Sequence, residues 1–282
     1  MIQINLDNQN YNLPQSWADV PPERLAELLR LVYFTPGTGD YYLEIIRLAL
    51  NVKPRVWKAL MQKHFSPKIG KKARAANAIV LHDLYRFLGW METEPIQKQP
   101  FPSIAVKGLT LLLPEEKFLT MSYGELTDAY IHFLVYLRQL VPGNDHLHLL
   151  ISTICRPARS KAGKGANWNG DEREAYNEFI VKQRAKAVAE LDEGVKMAIL
   201  LYFAGNMKAV LEQYQIFGEE GSESEEEYPG QGFVKNTHLL AQKGIFGTLN
   251  ETKAVNLHEV LLFLEEHSKD LLAEAERKKA EQ

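Results

Sequence analysis

Apolar residues recur at helical spacing along most of the chain and alternate with polar ones in only two short places. Residues 2–6, IQINL, alternate and face Tyr11 and Leu13 across the turn-forming run DNQN, which predicts a β-hairpin. Trp17 is expected to pack it onto the helices. Pro21 and Pro22 suit a helix first turn, and Leu25, Leu28, Leu29 and Val32 share one helical face behind them. TPGTG at 35–39 reads as a loop. Asp40 is expected to cap a helix running to about Asn51, with Leu43, Ile46 and Leu50 inward. A helix from Pro54 to about His64 carries Trp57, Leu60 and Met61. Another from about Lys71 to Trp90 carries Ala75, Ile79, Leu81, Leu84 and Phe87.

Residues 92–103 hold three prolines and no period, the mark of a connector. In SIAVKGLTLLLP (103–114), Lys107-Gly108 separates two extended runs and predicts a second small hairpin. Ser122 and Glu125 fit the S-x-x-E capping box. The helix behind it places Leu126, Tyr130, Phe133, Leu134, Leu137 and Val141 in one stripe, and Pro142-Gly143 stops it. Asp171 and Glu174 fit a second capping box, opening a helix with Tyr176, Phe179, Ile180 and Ala187 inward. Met197 to Ala204 is apolar on every face, which predicts a helix surrounded by other elements. It is far shorter than the roughly 20 apolar residues that span a bilayer.

Residues 218–231 contain six glutamates and almost nothing apolar, so they read as a flexible acidic linker. A short helix near 232–243 and a last one from about 256 to 280 follow. In the last, Leu257, Val260, Leu261, Leu264 and Leu271 form one apolar stripe on a polar rod. The expected organisation is therefore a main domain, 1–217, a linker, 218–231, and a helical C-terminal appendage, 232–282, offering that stripe to a partner helix.

At 45% hydrophobic residues the chain can build a sizeable core, and a net charge of −3 gives it no overall affinity for polyanions. The single cysteine, Cys155, excludes an intrachain disulfide and points to a reducing compartment. The start, MIQINLDNQN, lacks the basic and apolar regions of a signal peptide, so a cytoplasmic location is expected.

Charge is uneven, however. Residues 45–82 carry Arg47, Lys53, Arg55, Lys58, Lys63, Lys68, Lys71, Lys72 and Arg74 and no acid. Such a segment suits nucleic acid, with Trp57, His64 and Phe65 available to stack on bases, or else is a solvated face that meets an acidic partner or the chain's own glutamate-rich linker. Arg156, Arg159, Lys161 and Lys164 lie in a small-residue loop, but it lacks the phosphate-binding G-x-x-x-x-G-K-[ST] pattern and reads as a surface loop. Asp145, His146 and His148 form a D-H-x-H run. Positions i and i+2 of a helix face different ways, so one ion could not easily take both histidines. Cys155 with His148 is out of register for a nucleophile pair, and no oxyanion loop is visible. His82-Asp83 and the Tyr130, Phe133 and Tyr136 stripe read as packing. No catalytic, cofactor or metal signature remains.

The blocks LPQSW (13–17), SYGELTDAYIHFLVYL (122–137), LLISTICRP (149–157), GDEREAYNEFIV (170–181) and AILLYFAG (198–205) resemble a family of tailed-phage and prophage proteins encoded near tail genes. The resemblance implies a helical phage protein; with no catalytic signature and no signal peptide in the chain, a non-enzymatic protein of the host-cell cytoplasm is expected. The resemblance further implies a role in tail assembly similar to that of a chaperone, with a phage structural protein as partner. It carries no functional residues. The sequence as a whole predicts a mainly α, multi-helix globular fold with one or two small β-hairpins. The leading expectation is a binding or assembly protein, the alternative a nucleic-acid-binding protein using 45–82.

Overall fold

The computed structural model describes residues 1–160, 168–214 and 226–280. Among them are eleven α-helices and five short strands, so the fold is mainly α as expected. Contacts divide the chain into two compact units, neither continuous in sequence. The first is Met1–Pro100 with Asp192–Tyr202, and the second is Phe101–Leu191 with Phe203–Gln282. The expected boundary near 217–232 is therefore not where contacts separate.

In the first unit, β1 (Ile2–Leu6) pairs antiparallel with β2 (Gln9–Leu13), Ile2 opposite Leu13 and Leu6 opposite Gln9. Asp7 and Asn8 take φ of 53° and 62°, the left-handed pair that matches strand twist in a two-residue hairpin turn. Trp17 is buried. Its Nε1 donates to the Glu94 carbonyl at 3.0 Å, and its ring meets Trp90 edge-on at 5.0 Å.

Helix α1 (Pro22–Phe34) buries Leu25, Leu28 and Leu29. Helix α2 (Gly39–Ala49) has Thr38 rather than Asp40 at its N-cap position. Asp40 sits inside the first turn, where its charge favours the helix dipole. Helices α3 (Pro54–Phe65) and α4 (Lys71–Phe87) begin where expected. The face of α4 differs from expectation. Leu84 is buried, but Ala75, Ile79 and Phe87 are exposed. The reason is packing: Asn77 Nδ2 donates to the His64 carbonyl at 3.0 Å, and Tyr85 meets Tyr42 edge-on at 4.7 Å. These contacts turn the Asn77, Leu81 and Leu84 side inward.

Helix α8 (Glu193–Gln213) supplies its first ten residues to this unit and the remainder to the other. Its start lies against α1. A Cβ built on Gly194 would stand 1.9 Å from the Ala26 carbonyl oxygen, so only glycine permits the approach. The expectation of a surrounded apolar helix holds, with Ala198, Ile199, Leu200, Tyr202 and Phe203 all buried. Among the described residues α8 is the one helix long and apolar enough to cross a membrane, and 67% of that stretch is buried within the protein.

In the second unit, β3 (Ile104–Val106) and β4 (Leu109–Leu112) form the second hairpin around Lys107 and Gly108, both at positive φ. A third strand, β5 (Arg156–Pro157), joins β4 antiparallel. Helix α5 (Tyr123–Leu137) ends before Val141, and both Val141 and Leu137, its last residue, are exposed. Helix α6 (Asp145–Ile154) follows. Helix α7 (Glu178–Val188) starts well after the D-x-x-E run, capped by Asn177 Oδ1, which accepts from the Phe179 amide at 3.0 Å. Residues 171–174 are not helical because they bridge back to 157–159. The Arg159 amide donates to the Glu172 carbonyl at 2.7 Å, and the Glu174 amide to the Pro157 carbonyl at 2.8 Å. The later start rotates α7, so Val181, Arg184 and Val188 point inward and Phe179 and Ile180 outward.

The C-terminal helices are α9 (Gln231–Gln242), α10 (Leu249–Ala254) and α11 (Leu257–Ala280). They belong to the second unit and are not a tethered appendage. Leu257, Val260 and Leu261 are fully buried and Leu264 nearly so; only Leu271 is exposed. Docking follows from the backbone: the Leu257 amide donates to the Met121 carbonyl at 2.9 Å, and Asn256 Nδ2 to the Leu119 carbonyl at 2.8 Å. This seats the stripe beside α5. Most of the expected flexible linker, 218–225, lies outside the described residues. Its end is ordered: the Glu226 carboxylate accepts from the amides of Gly230 and Gly232, both at 3.0 Å.

Candidate functional site

The nine basic residues of 45–82 lie in the first unit, on α2, α3, α4 and their connections. Seven are exposed: Lys53, Arg55, Lys58, Lys63, Lys68, Lys71 and Lys72. Arg47 is occupied by Glu44, its Nε donating at 2.8 Å, and Lys63 reaches Asp7 at 2.5 Å. Arg74 is half-buried. Among the described residues, Lys53, Arg55, Lys58, Lys68, Lys71 and Lys72 have no carboxylate within ion-pair distance.

Their placement runs against the usual electrostatics of helix ends. Lys53 and Arg55 stand at the start of α3, and Lys71 and Lys72 at the start of α4, with no acid in either first turn. A helix N-terminus carries about half a positive charge, and each added cation there is unfavourable by about 0.3–1 kcal/mol. Helices α1, α2, α5, α6, α7, α8, α10 and α11 instead carry an acid in the first turn. Each of these two helix starts, with its unpaired cations, is a place where an anion is favoured. The aromatic residues expected to stack on bases are not presented with them. Trp57 is buried, and His64 and Phe65 are half-buried.

The second unit holds a closed ionic cluster that the sequence did not announce. Glu125, Arg156, Asp171 and Arg173 are all buried. Arg156 Nη2 donates to Glu125 Oε2 and to Asp171 Oδ2, each at 2.9 Å. Arg173 donates through Nη1 to Glu125 Oε1 at 2.9 Å and through Nε and Nη2 to the two Asp171 oxygens at 2.9 and 3.0 Å. Beside it, Arg184 pairs with Glu174 and donates to the Ser152 carbonyl at 2.8 Å. Burial pushes the Glu125 carboxyl up, against the pull of Arg173 and Arg156.

This cluster explains two departures. Glu125 leaves its expected capping-box role, and only the Ser122 half of that motif forms, Oγ accepting from the Glu125 amide at 3.2 Å. Arg156 of the candidate anion loop is spent internally, as is Arg159, whose Nε donates to the carbonyls of Asp171 and Arg173 at 3.1 and 3.0 Å. Lys161 and Lys164 lie outside the described residues.

Cys155 is fully buried, and burial pushes its thiol up to about 12, so it is no nucleophile. The aromatic stripe of α5 is packing: Tyr130 meets Phe233 at 5.2 Å and Phe133 meets Phe203 at 5.4 Å. His82 and Asp83 form an exposed contact of 3.6 Å. His146 pairs not with His148 but with His132 of α5, Nδ1 to Nδ1 at 3.1 Å. Burial, then the His146 charge, then Lys182 bring His132 down to about 4.

No protein-family model matches the chain, and no curated protein or solved structure matches it significantly.

Proposed function

We propose that this is a non-enzymatic binding protein whose working surface is the cationic α3–α4 face, and that the partner is a nucleic acid bound through its phosphates. The observation that carries the reading is the set of six exposed, carboxylate-free cations at 53–72, four of them at helix N-termini. Cations placed where the helix dipole disfavours them add nothing to the fold, and a local conflict of that kind marks a functional surface. With no exposed aromatic among them, recognition is of backbone charge rather than of base identity.

The test is fluorescence anisotropy of the full chain with labelled duplex and single-stranded oligonucleotides across a salt series. Six phosphate contacts give a slope of log K against log salt of about −5, and each cation removed takes off about one. Lys58→Glu with Lys71→Glu and Lys72→Glu should abolish binding while leaving the circular dichroism unchanged. A flat salt dependence, or unchanged binding by the triple variant, ends the reading.

A second reading keeps the phage or prophage assembly role, and a different observation favours it. Further along the same helix, α4 exposes Ile79, Val80 and Phe87, apolar surface suited to a protein partner. Binding that resists salt but fails in Phe87→Ser would select it.

A further inference from the structure

We infer that His132 and His146 form a chelating pair for a divalent transition-metal ion of the copper, nickel or zinc class. His132 lies on α5 and His146 in the first turn of α6, and the two helices pack against each other. The Nδ1 atoms are 3.1 Å apart, the ring centroids 5.2 Å, and the rings stand 61° to one another. Both side chains are half-buried rather than sealed in the core.

The separation fits chelation. With metal–nitrogen bonds of about 2.0–2.1 Å, nitrogens 3.1 Å apart subtend an angle of about 98° at the ion. That falls between the right angle of neighbouring octahedral or tetragonal positions and the tetrahedral angle. Free of metal, one Nδ1–H donates to the other Nδ1. On binding, the donor ring moves that proton to its own Nε2, so both Nδ1 lone pairs face the ion and no net proton is released. Two imidazoles select copper, nickel and zinc over magnesium or calcium, with copper held most tightly.

Among the described residues no third histidine, cysteine or carboxylate completes a cluster. Water therefore fills the other positions, and the site is an open two-histidine platform. Lys182, on α7, interacts electrostatically with His132. Its positive charge opposes the ion, which supplies a control that a merely structural histidine contact would not obey.

The experiment is isothermal titration of the full chain, free of any polyhistidine tag, with copper, nickel, zinc and magnesium chlorides at neutral pH. The expected result is one site per chain, copper tighter than zinc, and no magnesium binding. His132→Ala and His146→Ala should each weaken binding by more than about tenfold, since even outer-shell partners are worth that much. Lys182→Gln should tighten it. Electron paramagnetic resonance of the copper-loaded wild-type chain should show two nitrogen ligands, a readout independent of whether any variant folds. No binding at millimolar metal, a copper spectrum without two nitrogens, or affinities unchanged in both histidine variants would overturn the inference and leave a hydrogen-bonded pair.

Discussion

Arg156 Nη2 and Asp171 Oδ2 stand 2.9 Å apart with side chains only 2% and 7% exposed. They close a ring with Glu125 and Arg173 in which two acids face two guanidinium groups and solvent is excluded. Removing one member of such a ring leaves a buried charge without compensation.

Asp171→Ala is therefore expected to lower the unfolding free energy by about 3–5 kcal/mol. The comparison is Lys107 with Glu190, also 2.9 Å apart but 56% and 57% exposed. Breaking that pair with Lys107→Ala should cost less than about 1 kcal/mol. Urea denaturation of both variants checks the contrast, and equal costs would mean the cluster is open to water.

Cys155 should resist thiol reagents in the folded protein. Its thiol is fully buried, and burial pushes it up to about 12, so the reactive thiolate is scarce at pH 8. Labelling should follow global unfolding in urea. Rapid labelling of the native chain at pH 8 would contradict the packing around α6.

The last helix divides into a core half and a free half. Leu261→Ala removes a fully buried side chain and should cost about 2–5 kcal/mol. Leu271→Ser, at an exposed position, should stay within about 0.5 kcal/mol of the parent. Deleting 232–282 should unfold the second unit, because α11 seats its stripe there. A truncated chain with an unchanged melting temperature would restore the appendage.

Gly194→Ala should be destabilising in spite of alanine's better helix propensity. The new methyl group would meet the Ala26 carbonyl oxygen, and the displacement should cost about 1–3 kcal/mol as an overpacked contact does. A melting temperature at or above that of the parent would show that α8 can move away freely.

Local pattern alone determined the mainly α fold, both hairpins and the starts of α1, α3 and α4. Each depends on neighbours in sequence: Asp7-Asn8 and Lys107-Gly108 accept left-handed φ, and Pro22 and Pro54 suit a helix first turn. The cationic run of 45–82 was equally legible, because charge is counted residue by residue. Tertiary contact decided the rest. The motif S-x-x-E at Ser122 and T-x-x-E at Thr248 have the same form, yet only Thr248 closes a full capping box. Glu125 has two arginines, 31 and 48 residues away in sequence, competing for its carboxylate. Likewise Leu257, Val260, Leu261 and Leu264 make a stripe whether they await a partner or have one. The periodicity of a helix states that one face must be covered, and only the path of the rest of the chain states what covers it.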